Sequence, residues 1–135
     1  MISKFKTLQI STSQRTQFIE ITNLIEKEIA ASKIKAGFCV LFVTHTTAGI
    51  TINENADPSV RADILNQLNQ TIPFNGGYRH AEGNSAAHIK ASLLGFDLVL
   101  LIDQGGLVLG TWQGIFLVEF DGPRSREVLL KICPA

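Results

Sequence analysis

A chain of 135 residues is long enough to bury a sizeable core without staples, and it reads as a single domain over residues 1–135. Its 12 basic and 12 acidic side chains cancel, so no charge excess favours nucleic acid or an anionic membrane as a partner. No stretch approaches the roughly 20 apolar residues of a spanning helix and nothing near the start is built like a signal peptide, so a soluble cytoplasmic protein is expected.

Ser3 to Thr12 alternate loosely with β-forming types, and Gln17 to Ile21 resume that character after a polar turn; this predicts two strands, the second running into a helix. Thr22 is the expected N-cap. Ile21, Leu24, Ile25 and Ile29 recur on one helical face, with Glu26, Lys27 and Glu28 on the other. Gly37 closes the connection. Phe38 to Val43 is apolar without alternation, the pattern of a central strand covered on both faces. His45 shares the parity of Cys39, Leu41 and Val43, so it projects from their face where that strand ends. Gly49 is expected to turn the chain into a short strand, Ile50 to Asn53, that pairs back on its predecessor.

Asp57-Pro58 is a strong helix start, with Asp57 as cap. Val60, Ile64, Leu65 and Leu68 mark the apolar face of a helix that Pro73 ends. A loop follows with Gly76-Gly77, Tyr78, Arg79, His80, Glu82 and Gly83, and Asn84 can cap a short helix from His88 to Leu94 that stops at Gly95. The remainder is β-rich, with hairpin signals at Gly105-Gly106 and Asp121-Gly122-Pro123. Strands joined mostly by hairpins argue an α+β fold with helices packed on one side of a largely antiparallel sheet. Cys39 and Cys133 each sit in an apolar run and read as reduced thiols without a role.

The chemistry concentrates in Val43 to Asp63, where His45, Asn53, Glu54, Asn55 and Asp57 crowd a strand pair leading into a helix. The only histidines, His45, His80 and His88, all fall at element ends or in the polar loop. Neutral imidazoles so placed can converge on a divalent metal, zinc first among candidates, and leave a position open for water or substrate. Their separations match no compact metal signature. If they meet without metal, His45 or His88 moves protons near neutral pH. Glu54 would orient a ligand histidine or act as acid or base, because it follows the Ile50 to Asn53 strand at the same sheet end as His45. Glu119 is a second candidate for that role, since it interrupts an apolar strand, and an edge-strand charge or an internal pair explains it about as well. Arg79, Lys90, Arg124 and Arg126 are the available anion partners. Gly105 to Gly114 lacks the ending of a phosphate-binding loop, and Thr111, Trp112 and Gln113 suit a ligand wall or a subunit contact.

HTTAGITINENADPSVRADI at His45 to Ile64, YRHAEGNSAAHIKASLLG at Tyr78 to Gly95 and LVLGTWQGIFLVEFDGPR at Leu107 to Arg124 together resemble the YjbQ family, which carries the label secondary thiamine-phosphate synthase. The resemblance implies a YjbQ-like α+β domain, a homotrimer, and a pocket at or near a subunit boundary gathered by His45, His80 and His88. Asn53, Glu54 and Arg79 would lie nearby and Gly110 to Gln113 would supply the TWQG element. It also implies a weak or secondary activity joining a pyrimidine diphosphate to a thiazole phosphate, with magnesium or Arg79, Lys90 and Arg124 neutralising the departing diphosphate. The expected ligand is a small anionic or phosphorylated metabolite. Two other classes fit the same residues: a non-catalytic trimeric module that binds metal or a small ligand, and a mainly structural trimer held by the TWQG and DGPR segments.

Overall fold

A computed structural model describes residues 5–135. In chain order its elements are β1 (Lys6–Ser11), β2 (Gln17–Glu20), α1 (Thr22–Ser32), β3 (Gly37–Val43), β4 (Ala48–Glu54), α2 (Pro58–Thr71), α3 (Ser85–Leu94), β5 (Asp97–Asp103), β6 (Gly106–Leu107), β7 (Gln113–Glu119) and β8 (Ser125–Pro134). The start of the first predicted strand, Ser3 and Lys4, lies outside the described residues. All pairings are antiparallel, in a five-stranded sheet ordered β1-β8-β3-β5-β6 and a three-stranded sheet ordered β2-β7-β4. The fold is α+β, as its sequence predicts.

The expected β3–β4 hairpin does not form. β4 pairs with β7, from Ala48 opposite Glu119 to Glu54 opposite Gln113, and β3 belongs to the other sheet. Each strand has an apolar face, Cys39, Leu41 and Val43 on one and Ala48, Ile50 and Ile52 on the other, and these are buried in one core by stacking rather than edge pairing. Gly49 is accordingly a packing residue inside β4: a Cβ there would stand 2.9 Å from the Gly95 carbonyl oxygen, to which Ile50 N–H donates. Ile21, Ile25 and Ile29 of α1 close the same core, together with Ile115 and Leu117 of β7 and Val128 and Leu130 of β8.

α2 and α3 cover the other side of the three-stranded sheet. There Ala87, Ala91, Leu65 and Leu68 pack on Phe116, Val118 and Phe120, while Phe18 meets Phe116 edge-on. Asp57 caps α2 as expected, its Oδ1 accepting from Ser59 N–H at 2.9 Å and from the Ser59 hydroxyl at 2.8 Å. Thr22 does not cap α1. It lies inside the helix, buried, and its hydroxyl accepts from Ile115 N–H, which ties α1 to β7, while the Glu20 carboxylate takes the Thr22 N–H. Leu24, expected on the buried face, is exposed. The turn at Gln104-Gly105 has two consecutive positive φ angles, +50° and +79°, matching the hairpin read from its glycines.

β3 is central in its sheet yet covered on one face only. Phe38 and Phe42 remain 40% exposed, and Val99 and Leu101 on the adjoining β5 are 62% and 60% exposed. The unalternating apolar run thus reflects an outer face left open by the described residues. Cys39 and Cys133 are free thiols, and burial, then the neighbouring Cys133, pushes the Cys39 thiol up to about 11, which keeps it unreactive. Among the described residues no helix is long and apolar enough to cross a membrane.

Candidate functional site

The cleft forms where β3 releases the chain and β4 takes it up. Across this crossing Thr47 is fixed by β7 and β8: its carbonyl accepts from Phe120 N–H, and both that carbonyl and its hydroxyl accept from the Arg126 guanidinium. Arg126 is itself set by Glu119, which is fully buried. The Glu119 carboxylate accepts from Arg126 Nε at 2.8 Å, from Arg126 Nη2 in a close ion pair, from the Thr12 hydroxyl at 2.8 Å and from Asp121 N–H at 2.9 Å. Burial of the carboxylate opposes its charge, but these four donors outweigh it and hold the pKa below the ordinary glutamate value. Glu119 is therefore the internal pair, on the central strand of its sheet.

His45 is held by the same strand that carries Arg126. Its Nε2 accepts from Glu127 N–H at 2.8 Å, so the ring proton sits on Nδ1. Burial, then the Arg126 charge, lowers its pKa and keeps it neutral. His88 stands on the second turn of α3 and His80 on the loop before it, their rings edge to face with centroids 5.5 Å apart. His80 Nε2 lies 3.9 Å from a Glu82 carboxylate oxygen.

All three histidines line one cleft of about 460 Å³, with Arg124, Arg126 and the Thr44–Thr47 crossing completing the walls. Arg124 donates from Nε and Nη2 to Asp121, leaving Nη1 without a hydrogen bond, and Arg126 likewise has no bond from Nη1 among the described residues. Asn84, expected only as a helix cap, also lines the cleft. Its amide donates to Asp121 and Glu82, and its Oδ1 is buried with no hydrogen-bond partner among the described residues. Next to this polar cleft runs an apolar groove of about 400 Å³ that shares His45, Thr46 and His88 and continues to Phe42, Ala91 and Phe96.

The donor set tests the expected three-histidine metal site. His45 has spent its basic nitrogen on Glu127 N–H, and no group of three His, Cys, Asp or Glu side chains among the described residues is placed to share an ion. The arrangement does not fit three-histidine ligation.

The other candidates fall elsewhere. Glu54 ends β4, and the expectation that it shares His45's end of the sheet is wrong: six strand steps from Ala48 carry it about 20 Å along β4. Asn53 sits beside it, its side chain accepting from Glu54 N–H. Thr111, Trp112 and Gln113 gather at that same far end, where Trp112 carbonyl accepts from Asn55 N–H and Gln113 Oε1 from Gly110 N–H. Arg79 is exposed on the loop beside His80 and lines no described cleft near it.

A two-sheet α+β scaffold that gathers histidines and arginines at one strand crossing defines the class. The match to the family model for UPF0047 proteins of YjbQ type runs over residues 6–135, and the chain belongs to that family. It is 56% identical to the UPF0047 protein MJ1081 of Methanocaldococcus jannaschii, over 92% of this chain and 90% of the relative, and 46% identical to YugU of Bacillus subtilis, over 94% and 97%. A solved structure of a YjbQ/UPF0047 family protein from Clostridium acetobutylicum superposes with a TM-score of 0.93 at 54% identity, covering 95% of this chain and 99% of that one. A YbjQ-like protein of unknown function from Sulfolobus solfataricus gives 0.92 at 36% identity, covering 97% and 96%. These names specify no reaction.

Proposed function

We propose that the His45–His80–His88 cleft is the catalytic site of an enzyme acting on a small anionic or phosphorylated metabolite, with thiamine-phosphate synthesis as a weak or secondary capacity. The observation that carries this reading is the convergence of three histidines from sequence-distant segments with two arginines whose Nη1 groups remain open. The arginines supply the charge that an oxyanion needs. His45, locked neutral with its proton on Nδ1, serves as a fixed hydrogen-bond donor rather than a base. The His88 ring makes no hydrogen bond among the described residues, so it is open to exchange a proton with the ligand. The apolar groove beyond His45 and His88 accommodates the uncharged part of the substrate.

The test is pyrophosphate release from a pyrimidine diphosphate and a thiazole phosphate, together with the fate of phosphorylated metabolites found to bind. His88→Gln should reduce turnover about 100-fold or more, as expected for loss of a positioned proton carrier. Equal turnover in both proteins removes His88 from the mechanism. A bound metabolite recovered unchanged after long incubation assigns the cleft to a non-catalytic binding module instead.

The open β3–β5 face favours an assembly, read as a homotrimer. Phe38 sits beside Leu101 and Val40 beside Val99 on a surface too apolar to suit an isolated chain. Trp112, 64% exposed, adds an exposed aromatic side chain at the far end of β4. Sedimentation should report a trimer that Trp112→Ala weakens; an unchanged assembly places Trp112 outside the interface.

A further inference from the structure

Burying a lysine among uncharged groups is costly unless something negative reaches it. Lys90 of α3 is only 3% exposed, and its Nζ donates one hydrogen bond, to Asn69 Oδ1 of α2 at 2.6 Å. No carboxylate pairs with it among the described residues, and burial alone pushes its pKa below the ordinary lysine value. An ammonium has three donors, so two are unspent.

Lys90 and its partner Asn69 line a cleft of about 290 Å³ that also has Arg15, Thr16 and Phe74 in its walls. The Arg15 guanidinium stacks on the Phe74 ring at 3.9 Å from its centroid and has no acidic partner among the described residues. The Thr16 hydroxyl accepts from Asn69 Nδ2 at 3.4 Å and keeps its own proton to donate. The walls thus hold two positive charges and no negative one. None of these residues lines the histidine cleft. Lys90 follows His88 by two residues, which turns it about 200° around the helix axis.

We propose that this cleft is a second binding site, for a small dianion of the phosphate or phosphate-monoester class, whose oxygens meet Lys90 Nζ, the Arg15 guanidinium and the Thr16 hydroxyl. A single carboxylate would leave one of the two cations unneutralised, whereas a phosphate dianion matches both. The aromatic face of Phe74 holds Arg15 flat, so little side-chain freedom is lost when the anion arrives.

The test is a titration of the ¹⁵N-labelled full chain with inorganic phosphate, followed by amide shifts. The amides of Thr16, Asn69, Phe74 and Lys90 should move saturably. Because each cation contributes a charge-assisted contact, Arg15→Gln should weaken that binding about tenfold or more, and Lys90→Met should abolish it. Arg15 is exposed, so its variant tests the site even if the buried substitution disturbs folding. Shifts confined to Thr44–Thr47 and His88 would overturn the second site and leave the histidine cleft standing. Shifts around Lys90 that persist unchanged in both variants, or no shift there at all, would overturn it equally.

Discussion

Glu119→Gln is the perturbation whose outcome follows most directly from the structure. The substitution is nearly isosteric, yet it removes the charge that neutralises a buried arginine and turns one of two accepting oxygens into a donor. Glu119 accepts from Thr12, Asp121 N–H and twice from Arg126, so the new amide must face at least one existing N–H or O–H donor. Breaking a buried pair by altering one partner costs about 3–5 kcal/mol. For a domain of this size that corresponds to a fall in Tm on the order of 10–20 °C. Thermal unfolding followed by far-UV circular dichroism measures it. The pH profile supplies a second reading. The folded pKa is depressed, so the carboxylate's contribution is present above the unfolded glutamate value, about 4.3, and is lost as pH falls through the lower folded value. Glu119→Gln should lack that acid-side loss. Paired replacement by Glu119→Leu with Arg126→Met should recover much of the stability, since two apolar groups leave no orphaned charge. A single variant that unfolds within about 1 kcal/mol of the wild type, with an unchanged acid limb, would refute the assignment of this pair as the anchor of the Thr47 crossing.

Three further outcomes follow. Lys90→Met should raise stability near neutral pH, by an amount on the order of 1 kcal/mol, because it removes a buried ammonium that lacks a counter-charge; the folded pKa is lowered, so wild-type stability should rise with pH toward the unfolded lysine value of about 10.4 and the gap between the proteins should close, as urea midpoints across pH would show. His45 is held neutral, so the folded chain binds fewer protons than the unfolded one below about pH 6.5; stability should fall as pH drops from there through the lowered folded value, and His45→Leu should flatten that slope in the same measurement. Gly49→Ala should cost about 1–3 kcal/mol in a urea titration, because its Cβ would press on the Gly95 carbonyl at 2.9 Å and on Leu94 Cβ at 3.1 Å, neither of which is a flexible side-chain end.

How far the sequence carries the fold depends on the range of the forces that set each element. Asp57 and Pro58 start α2 through contacts within three residues, and Gln104-Gly105 turns the β5–β6 hairpin through its own φ preferences, so both are legible locally. Thr22 misleads because its hydroxyl is taken by Ile115, 93 residues away, in preference to the helix start. β3 misleads because an apolar run has the same letters whether a face is covered by this chain or left open. At the site, the three histidines are legible as rare residues at element ends. Arg126 is legible only as a charge, since its role depends on a register that sets β8 beside β3 and on Glu119 arriving from the other sheet. Asn84 carries a helix-cap signal that its side chain does not honour, because two carboxylates claim its amide.

The segment from His45 to Asn55 reads as one motif, and its parts work at two ends of the protein. A seven-residue strand lies between them, so the segment's density of polar groups reflects two separate demands. At the near end, Thr44–Thr47 must leave one sheet, present His45 to Glu127 N–H and offer Thr47 to Arg126 before entering the other sheet. At the far end, Asn55 binds the TWQG segment through Trp112 carbonyl, and its side chain packs where Gly114 has no Cβ: an added one would lie 2.7 Å from Asn55 Cβ. Arg61 Nη1 then donates to the Asn55 side-chain Oδ1 at 3.3 Å. Glycine at position 114 and asparagine at position 55 are thus a matched pair that fixes the exposed Trp112. A Gly114→Ala substitution would displace that pair while leaving the cleft about 20 Å away intact, which separates what the far end does from what the histidines do.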